Sequence, residues 1–406
     1  MWARCCAAYE RAAEGGPSPA SPSQEEEVHL ERAEAYHRYG EGVQQLARFA
    51  GSADEEARLH AQGGRLCEAA AAAYAAVRAD PASAAMREDA AVNCANCLAT
   101  WAEMTPPAEA QRLLERAVEL YRTALGRATA DAAAGEGGAA EGDMEILMNL
   151  GDAWLKLAEI FCDTGRAELG ERAYREGLDV YLHGSGWADV RRGDDLSGLV
   201  YNWGCCLLSF GQRAADAATA GAALDEAVAK FSDALDLGAA GQTGPLLGLG
   251  EALMAQAERC VDADPARALE LARAAHDRGF AAALAVDRYS GDGGVGSAEA
   301  HALLGQILAR LGREPEARRA FAASAATYRA VLEEPKVQGD LGSFREKCDL
   351  VYNYGVAAAQ CGQAADAAAA LRQALQAGGT SAAEMQSDPD LAGVRDQPWF
   401  RELLQP

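Results

Sequence analysis

Seven small residues, Gly40, Ala95, Gly151, Gly204, Gly250, Gly305 and Gly355, stand 46 to 56 residues apart, each inside a similar short cluster. The clearest clusters are Val200-Tyr-Asn-Trp-Gly204 and Val351-Tyr-Asn-Tyr-Gly355. Seven residues after the last Gly of each comes a Gly-Gln pair, Gly211-Gln212 and Gly362-Gln363. Related clusters are Met148-Asn-Leu-Gly151, Leu247-Gly-Leu-Gly250, His301-Ala-Leu-Leu-Gly305 and, more loosely, Arg38-Tyr-Gly40 and Val92-Asn-Cys-Ala95. A period of this size marks a supersecondary unit that cannot bury its apolar face alone and must stack on copies of itself.

The unit is helical. Only three Ile occur, and alanine carries much of the 50% hydrophobic content, as in Ala69–Ala73 and Ala367–Ala370. Alanine is the best helix former, and its short side chain lets helices approach closely. The small anchor residue is expected where a second helix crosses the first. A later glycine (Gly211, Gly312, Gly362) is expected to close the first helix in a left-handed cap. The second helix then carries a small residue, a large one four later and a small one three after that. Ala117/Tyr121/Ala124, Ala227/Phe231/Ala234, Ala317/Phe321/Ser324 and Ala367/Leu371/Ala374 follow this spacing, which puts all three on one helical face.

These clusters and triads resemble the tetratricopeptide repeat, most closely over Ala298–Leu332 and Val351–Gly378. The resemblance implies an all-α, tetratricopeptide-like α-solenoid, a right-handed superhelix of about seven helical hairpins with a C-terminal capping helix pair. Units are expected to start near 30, 85, 142, 194, 242, 297 and 345 within an array over 28–378. Residues 1–27 read as a tail, disordered over 14–27, and 379–406 as the cap. In the cap Asp388 and Asp396 start helices, and Trp399, Phe400, Leu403 and Leu404 cover the last repeat. The Gly-rich stretches Asp131–Asp143, Gly238–Gly244, Gly291–Gly296 and Gln338–Ser343 read as linkers.

Charge narrows the partners. The chain carries 37 basic against 61 acidic residues, a formal charge of −24, with four Lys in all. A phosphate-backbone reader needs a basic stripe, so nucleic acid is a poor partner, whereas basic protein segments are attracted. The longest apolar stretches run to about nine residues, short of the ~20 needed to span a membrane. Eleven Cys, an odd and scattered set, fit a reducing compartment better than a disulfide framework. The sequence implies an intracellular protein and leaves cytoplasm and organelle interior both open. Cys5-Cys6 reads as part of an exposed helical tail rather than a lipid anchor.

No constellation points to catalysis. Gly291-x-Gly293-x-x-Gly296 matches a dinucleotide fingerprint in form, but the strand–turn–helix setting is missing, and it reads as a linker with Ser297 capping the next helix. Cys94-x-x-Cys97 lies within an expected helix and reads as packed thiols. The six His are dispersed, so no metal and no cofactor is expected. The asparagines are more informative. Of five in the chain, Asn93, Asn149, Asn202 and Asn353 each stand two residues before an anchor, and Asn96 just after one. In the tetratricopeptide architecture that position faces the concave groove, and the row is similar to the ladder of O-GlcNAc transferase repeats, where carboxamides grip an extended peptide. A carboxamide offers donor and acceptor to one peptide unit. Equally, such asparagines can bond neighbouring helices. A carboxylate clamp is not supported, because Met148, Asp152, Gly244 and Gly248 occupy the sites where its cations would stand. The expected function is a non-catalytic scaffold or adaptor that binds a protein segment, with a permanent subunit or assembly factor of a large organellar or cytoskeletal complex as the alternative.

Overall fold

The computed structural model describes residues 22–47, 50–79, 87–133, 141–185, 194–238, 241–334, 336 and 344–404. Every regular element among them is helical. The chain divides into two units, Met1–Arg213 and Ala214–Pro406.

In the first unit α1 (Pro22–Ala47) pairs with α2 (Ala53–Ala79), α3 (Arg87–Ala102) with α4 (Pro107–Ala133), and α5 (Glu141–Asp163) with α6 (Ala167–Ser185). The helix α7 (Asp194–Arg213) packs on α5 and α6. The second unit runs α8 (Ala217–Asp236), α9 (Thr243–Cys260) and α10 (Pro265–Ala274), which continues through a π-helical turn, Ala275–Phe280, into α11 (Ala281–Val286). Then come α12 (Gly291–Arg310), α13 (Glu314–Glu333), α14 (Phe344–Cys361) and α15 (Ala364–Gln376). Within each unit a helix packs chiefly on its sequence neighbours and on the next first helix, the pattern of a repeat array. The repeat expected near 194 places its first helix, α7, in one unit and its second, α8, in the other. Helix α1 begins at Pro22, so residues 22–27 are helical rather than disordered; the rest of the expected tail, with Cys5 and Cys6, lies outside the described residues.

The anchor glycines seat side chains of the second helix. A Cβ on Gly151 would lie 2.3 Å from the Tyr181 ring, on Gly250 2.9 Å from Phe280, and on Gly305 2.5 Å from Phe321. Leu371 fills the same role over Gly355, and Cys67 over Gly40. Direct backbone contact occurs at Gly279, where a Cβ would fall 2.4 Å from the Gly250 Cα. All four expected triads are buried on one face of their helices. Gly312 and Gly362 adopt left-handed φ of 72° and 88° and close α12 and α14, as a Cβ-free residue can without strain. Gly211, by contrast, lies inside α7, and Gly165, Gly238 and Gly378 are further left-handed caps.

The Gly291–Gly296 stretch is the first turns of α12, and not a linker. The Ser290 hydroxyl accepts from the Gly293 N–H and caps the helix; Ser297 is buried inside it. The glycines are there because Phe280 lies where a Gly296 Cβ would stand, 2.2 Å away, and Val331 does the same at Gly294, 2.5 Å away. At the C-terminus, α16 (Ala382–Ser387), a 3₁₀ turn (Pro389–Val394) and α17 (Pro398–Leu403) form the cap. Asp388 caps the 3₁₀ turn, accepting from the Asp390 N–H; at α17 the cap is Gln397, and Asp396 pairs with Arg401 instead. Phe400 and Leu403 are buried in one cluster with Leu371 and Met385, and Trp399 and Leu404 pack against it.

This packing sets the sign of three substitutions. Gly151→Ala is expected to cost about 1–3 kcal/mol through overpacking against Tyr181. Gly126→Ala, at an exposed helical site with nothing within 4 Å of the new Cβ, is expected to gain about 0.4–1 kcal/mol. Urea unfolding of both variants, followed by helix content, checks the opposed signs. Phe400→Ala is expected to cost about 3–5 kcal/mol by emptying the cap's largest buried side chain.

Candidate interaction faces

In the first unit the first helices α3, α5 and α7 carry Asn93, Asn149 and Asn202 respectively, all half-buried. Two of the three join a polar seam. Asn149 donates through Nδ2 to Asn96 Oδ1 at 3.2 Å, and the Tyr121 hydroxyl donates to the same oxygen at 2.5 Å. Asn202 donates to Asp152 Oδ2 at 3.3 Å, while the Tyr181 hydroxyl donates to Oδ1 at 2.7 Å. Just past the end of α3, Glu103 accepts from Gln44 of α1 at 2.5 Å and pairs with Lys156 of α5. Glu159 accepts from Ser209 at 2.9 Å and lies 3.9 Å from Arg213. Burial pushes the Asp152 carboxyl above the usual carboxylate range, and the Tyr181 bond and Lys156 offset this only in part. Asn353 lies on α14 of the second unit, half-buried and hydrogen-bonded to Tyr328.

Reasoning from rare residue types missed the acids. Asp152 and Asn96 each stand one residue after an anchor, and so do Glu251 and Gln306; Glu103, Glu159 and Glu258 each stand eight after one. That register was available in the sequence once the anchors were aligned.

In the second unit Glu251 and Glu258 continue these columns after Gly250, and Glu299, from outside them on α12, lies near both. Glu251 is open to solvent yet enclosed by protein on most sides; dehydration raises its carboxyl to about 7, with Asp292 and Glu299 adding to the effect. Dehydration also raises Glu258, and raises Glu299 with help from Glu258. Glu251, Glu258 and Glu299 make no ion pair among the described residues. Beyond them Gln306 donates to both oxygens of Asp390 at 3.2 Å, and Gln360 to one at 3.4 Å, so the C-terminal cap reaches these columns.

Among the described residues no three His, Cys, Asp or Glu converge as a metal site, and no helix is long and apolar enough to cross a membrane. Cys94 and Cys97 are buried thiols outside any disulfide; Cys94 Sγ donates to the Ala71 carbonyl oxygen at 3.5 Å, and burial pushes the Cys97 thiol far above its ordinary value. They pack as small hydrophobes.

No protein-family model matches the chain, and no curated protein matches it in sequence. Solved structures that resemble it include BtubC (BKLC) from P. vanneervenii, 18% identical, covering 68% of this chain and 93% of that one with a TM-score of 0.37. The signal transduction ATPase with a tetratricopeptide repeat sensor from Pyrococcus horikoshii is 11% identical, with 98% and 48% covered and a TM-score of 0.39. The Rap protein complexed with competence and sporulation factor is 13% identical, with 94% and 86% covered and a TM-score of 0.35.

The Glu251 environment sets a pH dependence. Its folded value, about 7, lies above the ordinary glutamate value of ~4.3, so the folded state holds this proton more tightly than the unfolded chain does. The stability this provides is complete below ~4 and is lost as pH rises through 7. Glu251→Gln is therefore expected to melt close to the wild type at pH 4 and above it at pH 8. Melting curves that stay parallel across that range would contradict the raised carboxyl.

Proposed function

We propose that this chain is a non-catalytic adaptor of the tetratricopeptide type, whose first-helix faces hold segments of other proteins. The observation that carries the proposal is the row of half-buried carboxamides at Asn93, Asn149 and Asn202 on successive first helices. Asn149 and Asn202 spend one donor each on the neighbouring helix, out of the four hydrogen-bonding sites a carboxamide has. Those lateral bonds fix the side-chain rotamer, so a bound peptide has less side-chain ordering to offset. Asn353 is the corresponding carboxamide of the second unit, where the carboxylates of Glu251, Glu258 and Glu299 favour a basic segment.

The alternative, a permanent complex subunit, calls for large apolar or aromatic surfaces outside the groove. The large hydrophobics most exposed among the described residues are Leu46, Leu169, Leu182, Leu237, Val286 and Leu311, with no aromatic among them. That favours the adaptor.

The test uses a partner recovered by affinity purification from the native cell and then titrated as a pure protein. Asn149→Ala with Asn202→Ala is expected to cost about 1–3 kcal/mol of affinity, at roughly 0.5–1.5 kcal/mol per hydrogen bond, with helix content retained. Unchanged affinity together with a lower melting temperature would assign both asparagines to helix stapling and remove them from the binding site.

A further inference from the structure

His276, in the π-helical turn, and His301, on α12, have ring centroids 4.4 Å apart at an interplanar angle of 64°. Each ring is oriented by a bond at Nδ1. His276 Nδ1 lies 2.9 Å from Asp277 Oδ1, and His301 Nδ1 lies 2.8 Å from the Ser297 carbonyl oxygen. A carboxylate and a backbone carbonyl can only accept, so in the neutral rings both Nδ1 atoms carry the proton and both Nε2 atoms present a lone pair. This is the outer arrangement that metal-binding histidines use: a ring N–H given to a carboxylate or carbonyl fixes the tautomer and leaves the other nitrogen to ligate.

The scaffold around the pair is stiff. Ala275 and Phe280, at the two ends of the turn, are buried, with Phe280 packed over Gly250 and Gly296 and Gly279 touching the Gly250 backbone. π-helical turns recur at functional sites. Here the turn holds His276 against α12 while leaving its side chain 24% exposed, open to an incoming ion.

We propose that His276 and His301 form a two-histidine site for a late first-row divalent ion, of the Zn²⁺, Ni²⁺ or Cu²⁺ class. Imidazole nitrogen suits these ions and not Mg²⁺ or Ca²⁺. No third His, Cys, Asp or Glu converges on the pair among the described residues, so water or a group from a bound partner completes the coordination. The buried thiols do not compete. Cys67 is pushed up to about 12, Cys97 and Cys206 further still, and a protonated thiol is a poor ligand.

Zn²⁺ and Ni²⁺ are titrated calorimetrically into the full chain and into His276→Ala, His301→Ala and, as a control, His60→Ala. One ion per chain is expected for wild type and control, with affinity reduced about 10-fold or more in each of the other two, since losing a ligand costs at least what losing an outer partner does. Histidine ¹⁵N spectra of the wild type give a readout independent of variant folding: the Nε2 signals of His276 and His301 should move with added ion, while those of His29, His37, His60 and His183 stay. Metal that moves a different histidine or none, or binding retained in either single variant, overturns the site.

Discussion

The contact on which the rest depends is a large side chain of a second helix seated on a glycine of the first. With Tyr181 over Gly151, Phe280 over Gly250 and Phe321 over Gly305, the ring fills the space a methyl would take. Helix spacing is thereby set by one bulky residue meeting one absent side chain. Alanine elsewhere in these helices keeps the remaining contact surface shallow enough for the ring to decide it.

The same contact builds the polar face. A ring lying on the anchor points its para position toward the residue one further along the first helix. Tyr121 and Tyr181 there carry hydroxyls, which donate to Asn96 and Asp152. In the second unit the corresponding rings are Phe280 and Phe321, which have no hydroxyl to give. Asp152 has a tyrosine, an asparagine and a nearby lysine to hold its charge. Glu251 has none of these: burial raises its carboxyl to about 7, and the acidic neighbours Asp292 and Glu299 add to the effect. Phenylalanine rather than tyrosine over Gly250 leaves Glu251 without the hydroxyl donor that Tyr181 gives Asp152.

Much of this was legible in the sequence, because packing leaves periodic traces. First helices start at Pro22, Arg87, Glu141, Asp194, Thr243, Gly291 and Phe344, against expected unit starts near 30, 85, 142, 194, 242, 297 and 345. The triads are visible because burial selects residue size at helical spacing. Gly291–Gly296 misled because glycine weakens a helix in isolation. The compensation there comes from Phe280 and Val331, which are distant in sequence and fill the space the glycines leave. The π-helical turn and the pairing of His276 with His301 were illegible for a related reason: no local pattern encodes which two of six dispersed histidines a tertiary contact will bring together.

The lateral bonds of Asn149 and Asn202 bear on how such a face can bind anything. A carboxamide free in solvent samples several rotamers and must be ordered by its ligand, whereas one tied to Asn96 or Asp152 is ordered already. Stapling and gripping are therefore compatible, provided the bond to the neighbour leaves hydrogen-bonding capacity directed outward. The two roles differ in what loss of the side chain does. A staple leaves a half-buried acceptor at Asn96 or Asp152 to be rehydrated, which costs stability; a grip leaves an unpaired peptide group on the partner, which costs affinity. Asp152 sharpens the contrast. Already raised by burial, it would keep only Tyr181 as a hydrogen-bonding partner once Asn202 is removed, so the stapling role should weigh more at Asn202 than at Asn149, whose acceptor Asn96 is neutral and keeps Tyr121.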